Sequence, residues 1–222
     1  MKNLSGFFPS NVNTISRFSD LIINDMVLLD ILGSWRIEEL FLQKYFPAAK
    51  RVLLNNLEPY FSTDPWSAVL EDKNVVVVHP FNKTIEAQYL NKRELLFKDP
   101  RVLPKFKSLQ TIKAVQTIAG IKSDFGDWFD ALNYMKSEIS KRDFDIAIIG
   151  CGAYGFPLAA HVKRLGKKAV HLGGPTQILF GIKGKRWIKN KKFDHIINEH
   201  FVFPSEEEQV LNASKVENAC YW

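Results

Sequence analysis

The chain has 222 residues, 46% hydrophobic and 24% charged, an ordinary globular composition that excludes a disordered or low-complexity protein. No apolar run reaches the ~18 residues of a membrane span, and the first residues, MKNLSGFFPS, lack the basic, apolar and small-residue order of a secretory signal. The reading is cytoplasmic, with peripheral membrane contact left open; two cysteines, Cys151 and Cys220, exclude a disulfide framework or zinc-type cluster.

Leu21, Ile22, Met26, Leu28, Leu29, Ile31 and Leu32, then Ile37, Leu40, Phe41 and Tyr45, recur at helical spacing around a break at Gly33-Ser34. That spacing predicts two helical segments across 20–46. At the joint, Glu38 and Glu39 are candidates for a general base or a metal ligand, or for first-turn acids that complement a helix dipole. A short strand is predicted over 51–54, and the valine run 75–78 predicts a fully buried one. His79 follows it directly, then Asn82 and a helix over 84–97. Ligands collect at the carboxyl ends of parallel strands, so His79 is a candidate to touch substrate, or else a histidine that only bonds a backbone carbonyl.

Further along, 111–117 predicts a strand with Gln116 near its end, and 125–140 a helix with Trp128, Phe129, Leu132, Met135 and Ile139 on its core face. The apolar run 146–149 predicts another buried strand. Gly150, Gly152 and Gly155 then give G-x-G-x-x-G, with Cys151, Ala153 and Tyr154 between them, before an amphipathic run and a strand at 169–172. In such a turn glycine lets the backbone approach a phosphate, and the first N–H groups of the helix face the anion. The competing account is a tight strand-to-helix turn without a ligand. Cys151 as a nucleophile competes with the plainer account of a small residue in a tight turn. A second glycine turn follows at Gly173, Gly174, Pro175, Thr176 and Gln177.

A dinucleotide site usually carries an acid about 20 residues after the turn, to hold the ribose. Here no Asp or Glu occurs over 146–193, a span with ten Lys and Arg residues, while the whole chain carries +6. The basic character is therefore local, which favours an anionic ligand or surface. Lys183, Lys185 and Arg186 are candidates to meet a diphosphate; Arg164 or Lys168 are candidates for the 2′-phosphate of NADP. Trp187 lies among the basic residues of 181–192, but nothing else resembles a nucleic-acid module, so nucleic acid is disfavoured as a partner. The last residues, Cys220, Tyr221 and Trp222, are apolar enough to expect that they pack back onto the body.

Alternating strands and helices predict one α/β domain over 1–222, a Rossmann-like three-layer sandwich with a mainly parallel sheet of about five or six strands. Its expected parts are a helical segment over 1–50, the body over 51–200 and a tail over 201–222.

VVVVHPF, AVQTIAG, DWFDALNYMK and FDIAIIGCGAYGFPLAAHVKRLGKKAVHLGGPTQILFGIKGKRW resemble, across nearly the whole chain, an uncharacterised bacterial family associated with surface-polysaccharide gene clusters. More distantly, the glycine-turn unit is similar to that of GT-D-type glycosyltransferases, in which a Rossmann-like sheet binds a nucleotide-sugar donor. That type carries Arg-x-Gly-Asp-Gly-Glu near the amino terminus, with acids implicated in metal and donor binding. The counterpart here, Gly33-Ser34-Trp35-Arg36-Ile37-Glu38-Glu39, lacks the aspartate and the spacing.

The resemblance implies a glycosyltransferase that takes a nucleotide-diphosphate sugar and a saccharide or lipid-linked acceptor, with Mn or Mg dependence open. The residues would divide into Glu38, Glu39 and His79 for catalysis and Gly150, Gly152, Ala153, Tyr154, Gly155, Gly173, Gly174, Thr176, Gln177, Lys183, Lys185 and Arg186 for the donor. Two alternatives remain: an NADP-dependent oxidoreductase, and a non-catalytic binding subunit of a polysaccharide assembly complex.

Overall fold

A computed structural model describes residues 5–121, 123–210, 213 and 219–222. Most of the expected tail over 201–222 is among them; its positions 211–212 and 214–218 lie outside the described residues.

The centre is a four-stranded parallel sheet of β3 (Asn74–His79), β4 (Ser108–Lys113), β5 (Ile146–Ile149) and β6 (Lys168–His171), in the order β4-β3-β5-β6. Strand side chains alternate between faces, and both faces of β3 and β5 are buried. Val75, Val77, Ile146 and Ile148 enter one core with Ile85, Tyr89 and Leu96; Val76, Val78, Ala147 and Ile149 enter the other with Trp128, Leu132, Leu158 and Val162. Helix α2 (Asn82–Leu96) therefore covers one face, and α3 (Trp128–Ser140) and α4 (Gly155–Arg164) cover the opposite one. This is the expected three-layer α/β arrangement, with a main sheet of four strands instead of five or six.

The missing strands are explained by the region before β3. Helix α1 (Val12–Met26) starts at a capping box between Asn11 and Thr14. Beyond it the expected helical run breaks: Ile31–Ser34 is a strand, β1, paired in parallel with β2 (Lys50–Leu53) as a separate two-stranded sheet. Two apolar residues followed by Gly33 and Ser34 suit either state by periodicity, and here pairing with β2 decides the outcome. Gly33 packs against this unit's own leucines, since a Cβ there would lie 2.6 Å from Leu57 Cδ1. The residues between the two strands, Ile37–Tyr45, form a 3₁₀ helix with no buried residue.

Asp25, fully buried at the end of α1, ties this region to the body through Arg164 at 2.5 Å, and Lys163 bonds Asp30 at 2.7 Å. Strand β4 ends earlier than the expected 111–117 strand, so Gln116 lies in the following loop. Two short helices follow β6: α5 (Thr176–Leu179) and α6 (Lys185–Ile188). Near α6, Trp222 is only 7% exposed and packs edge-on to Phe81, with ring centroids 5.8 Å apart.

Candidate functional site

Between β3 and β5 the order of connections reverses: β3 leads through α2 to β4 on one side, and β5 leads through α4 to β6 on the other. Such a reversal leaves a crevice outside the carboxyl ends of the two strands. A cavity of about 120 Å³ opens there, lined among others by His79, Gln116, Thr117, Gly150, Gln177 and Tyr221. That is below the roughly 300–1,000 Å³ of most small-molecule pockets, small for a whole nucleotide sugar.

Each glycine of the turn has an intramolecular reason to be glycine. A Cβ on Gly150 would stand 2.6 Å from Thr176 Oγ1, 2.7 Å from the Gly173 carbonyl and 2.7 Å from His79 Cδ2. Gly152 has φ +58°, the left-handed region that side chains disfavour. On Gly155 a Cβ would fall 2.1 Å from Nε2 of His171, at the strand end where a ribose-binding acid was sought. The turn continues into a single 3₁₀ turn, Gly152–Tyr154, and then α4; the N–H groups of Gly152 and Ala153 have no acceptor among the described residues. Tyr154 is turned into the core, stacked on Trp128 at 4.8 Å. Cys151 is buried, and burial pushes its thiol up, away from the thiolate that a nucleophile needs.

His79 is 4% exposed and accepts the Phe81 N–H at Nδ1, 3.0 Å away. That bond places the proton of the neutral ring on Nε2. Burial pushes the ring's pKa down to about 3. His79 is thus a neutral hydrogen-bond donor at the crevice; the general-base role assigned from sequence does not suit it, because its one lone pair is already engaged.

In the second glycine turn, Gly173 is left-handed at φ +68° and Gly174 joins the crevice lining. Thr176 is fully buried, and its Oγ1 has no hydrogen-bond partner among the described residues. Gln177 donates from Nε2 to the Tyr221 carbonyl at 3.1 Å.

The expected cations are elsewhere. Arg186 donates to the Tyr221 hydroxyl at 2.9 Å, the Lys185 N–H reaches the Trp222 carbonyl at 3.4 Å, and Lys183 lies over the ring of Phe203. None of the three lines the crevice, and Tyr221, which does, is held between it and Arg186. Nothing in the sequence pattern singled out Tyr221, Thr117 or Phe81 for this role; the apolar chain end was the only available signal. Of the two candidates for the 2′-phosphate of NADP, Arg164 is committed to Asp25.

Glu38 and Glu39 also lie apart from this crevice. Glu38 pairs with Arg36 at 2.8 Å; its own backbone N–H and then that guanidinium hold its carboxyl below the ordinary value. Around Glu39, burial acts to raise the carboxyl. The Ser34 hydroxyl, the N–H groups of Trp35 and Arg36, and Arg51 outweigh it, so the net shift is downward. Both acids fasten the β1 joint, and among the described residues no three His, Cys, Asp or Glu side chains gather as a metal site. Glu39→Ala should therefore cost roughly 1–2 kcal/mol, the scale of a lost helix cap, and leave ligand affinity at the crevice unchanged. Urea unfolding together with calorimetry checks both halves.

Compared with known proteins, the chain matches no family model, no curated protein and no solved structure.

Proposed function

We propose that the crevice between β3 and β5 receives the sugar-diphosphate portion of a nucleotide sugar and that the chain is a glycosyltransferase of bacterial surface-polysaccharide assembly. The observation that supports this reading best is the pair of N–H groups of Gly152 and Ala153, without an acceptor among the described residues, at the switch point of a parallel sheet and ahead of a ten-residue helix. Peptide N–H groups at such a position suit the oxygens of a phosphate. His79 Nε2–H and the Gln116 side chain would meet hydroxyls of the sugar or the oxygen that leaves with the diphosphate, where a fixed donor stabilises developing negative charge. The base that would activate an acceptor hydroxyl is not assigned to Glu38, Glu39 or His79. An oxidoreductase reading has no comparable support, since β6 ends in His171 and Arg164 is engaged.

Isothermal calorimetry with a panel of uridine, guanosine and thymidine diphosphate sugars, each with and without manganese, tests the proposal. Binding of at least one donor is expected, weakened about tenfold in His79→Asn, the size of one hydrogen bond of about 1.4 kcal/mol. Silence across the whole panel would end this reading.

A further inference from the structure

The amino-terminal end of α2 already holds an anion that belongs to the chain. Glu208, 5% exposed, accepts the N–H of Lys83 at 2.8 Å and of Thr84 at 3.2 Å, the hydroxyl of Ser205 at 3.1 Å and that of Thr84. A carboxylate at this point complements the partial positive charge of the helix end. A short polar residue beside the helix would satisfy those N–H groups as well, yet the carboxylate comes from 124 positions away.

What Glu208 carries with it reaches both walls of the crevice. Its backbone carbonyl faces the indole N–H of Trp222 at 3.4 Å. Trp222 packs edge-on to Phe81, whose N–H fixes His79. The residue before it, Tyr221, also lines the crevice and meets Gln177 and Arg186. From the outer side, Cys220 and Trp222 accept the N–H groups of Arg186 and Lys185 with their carbonyls.

We propose that Glu208 is a positioning residue for the crevice: seated on α2, it holds 219–222 so that Tyr221 separates the glycine turn from Arg186. This rests on the reading of the crevice as a diphosphate-sugar site, and it accounts for two observations that otherwise conflict with that reading. The cavity is small for a whole donor and, among the described residues, has no charged side chain in its lining, while Arg186 bonds the Tyr221 hydroxyl from outside that lining. Displacing the wall joins the two into one longer site with a cationic side.

The test uses the whole chain in three forms: wild type, Glu208→Gln and Trp222→Phe, the last removing the indole N–H that faces Glu208 together with the ring that carries it. Amide hydrogen exchange at Lys185 and Arg186 reads the hold on 219–222, exchange in β3 reads the global fold, and calorimetry with uridine diphosphate reads the site. In both variants, exchange at Lys185 and Arg186 should quicken about tenfold with β3 unchanged, and the nucleotide should bind about tenfold tighter. A role confined to capping α2 would quicken only Lys83 and Thr84 in Glu208→Gln and nothing in Trp222→Phe; that result overturns the proposal, as does unchanged exchange in both. If Glu208→Gln does not fold, Trp222→Phe alone decides by the same readings. Faster exchange at Lys185 and Arg186 with no nucleotide bound by any form would refute the donor site and leave the positioning role standing.

Discussion

Gly150→Ala is expected to destabilise the fold by about 3 kcal/mol, the upper range for forcing atoms into a packed interior. The added methyl would meet Thr176 Oγ1, the Gly173 carbonyl and His79 Cδ2, all within 2.7 Å. Thr176 and His79 are buried, and the Gly173 oxygen is backbone, so no loose side-chain end is available to move aside. Gly152→Ala provides the comparison within the same turn. There the nearest atom to the new methyl is the Ser5 carbonyl at 3.7 Å, and the cost is the left-handed backbone alone, about 1–2 kcal/mol. Urea unfolding of both variants should rank Gly150→Ala as the more damaging. If instead Gly150 existed to admit a phosphate, alanine would spare stability and abolish binding, a result read as equal midpoints together with lost calorimetric binding.

The parts of this molecule legible in its sequence are those set by neighbouring residues. Four valines before His79 and the IAII run before Gly150 can only be buried on both faces, and they became the two central strands. The glycine turn likewise lies where its spacing put it, between β5 and α4; the left-handed Gly152 is seen only in the structure. What escaped depends on pairing at a distance. Ile31 and Leu32 continue a helix-like pattern up to the break at Gly33-Ser34, yet all four residues form a strand because Lys50–Leu53 lies beside them. The basic span seemed to surround the glycine turn, since charge counting along a chain cannot show that Tyr221 stands between Arg186 and the crevice. Glu208 gave no signal at all: among three consecutive glutamates it reads as a solvated tail, and only the fold brings it to Thr84. The sequence therefore located the crevice through its strands and glycines and missed the segment that walls it.

Between pH 7 and pH 5 the wild-type protein should lose about 2 kcal/mol more stability than His79→Asn. Burial lowers the folded-state pKa of His79 from its ordinary 6.5 to about 3. The unfolded imidazole takes up a proton as the pH falls through 6.5, while the folded one stays neutral until near pH 3. Throughout that window the unfolded state binds the extra proton, so acidification favours unfolding by up to about 1.4 kcal/mol per pH unit. Above pH 7 both states are neutral and the difference disappears. Asparagine can keep the acceptor for the Phe81 N–H at its amide oxygen, loses the Nε2–H that faces the crevice, and carries no titrating group. The remaining histidines are common to both proteins and cancel in the comparison. Urea unfolding of the two proteins at pH 7, 6 and 5 measures the difference directly. Parallel stability curves would show that His79 reaches a proton source in the folded state, contrary to its 4% exposure, and would return it to consideration as an acid–base group. Diverging curves would fix it as a neutral donor, which requires the acceptor's proton to leave by another residue.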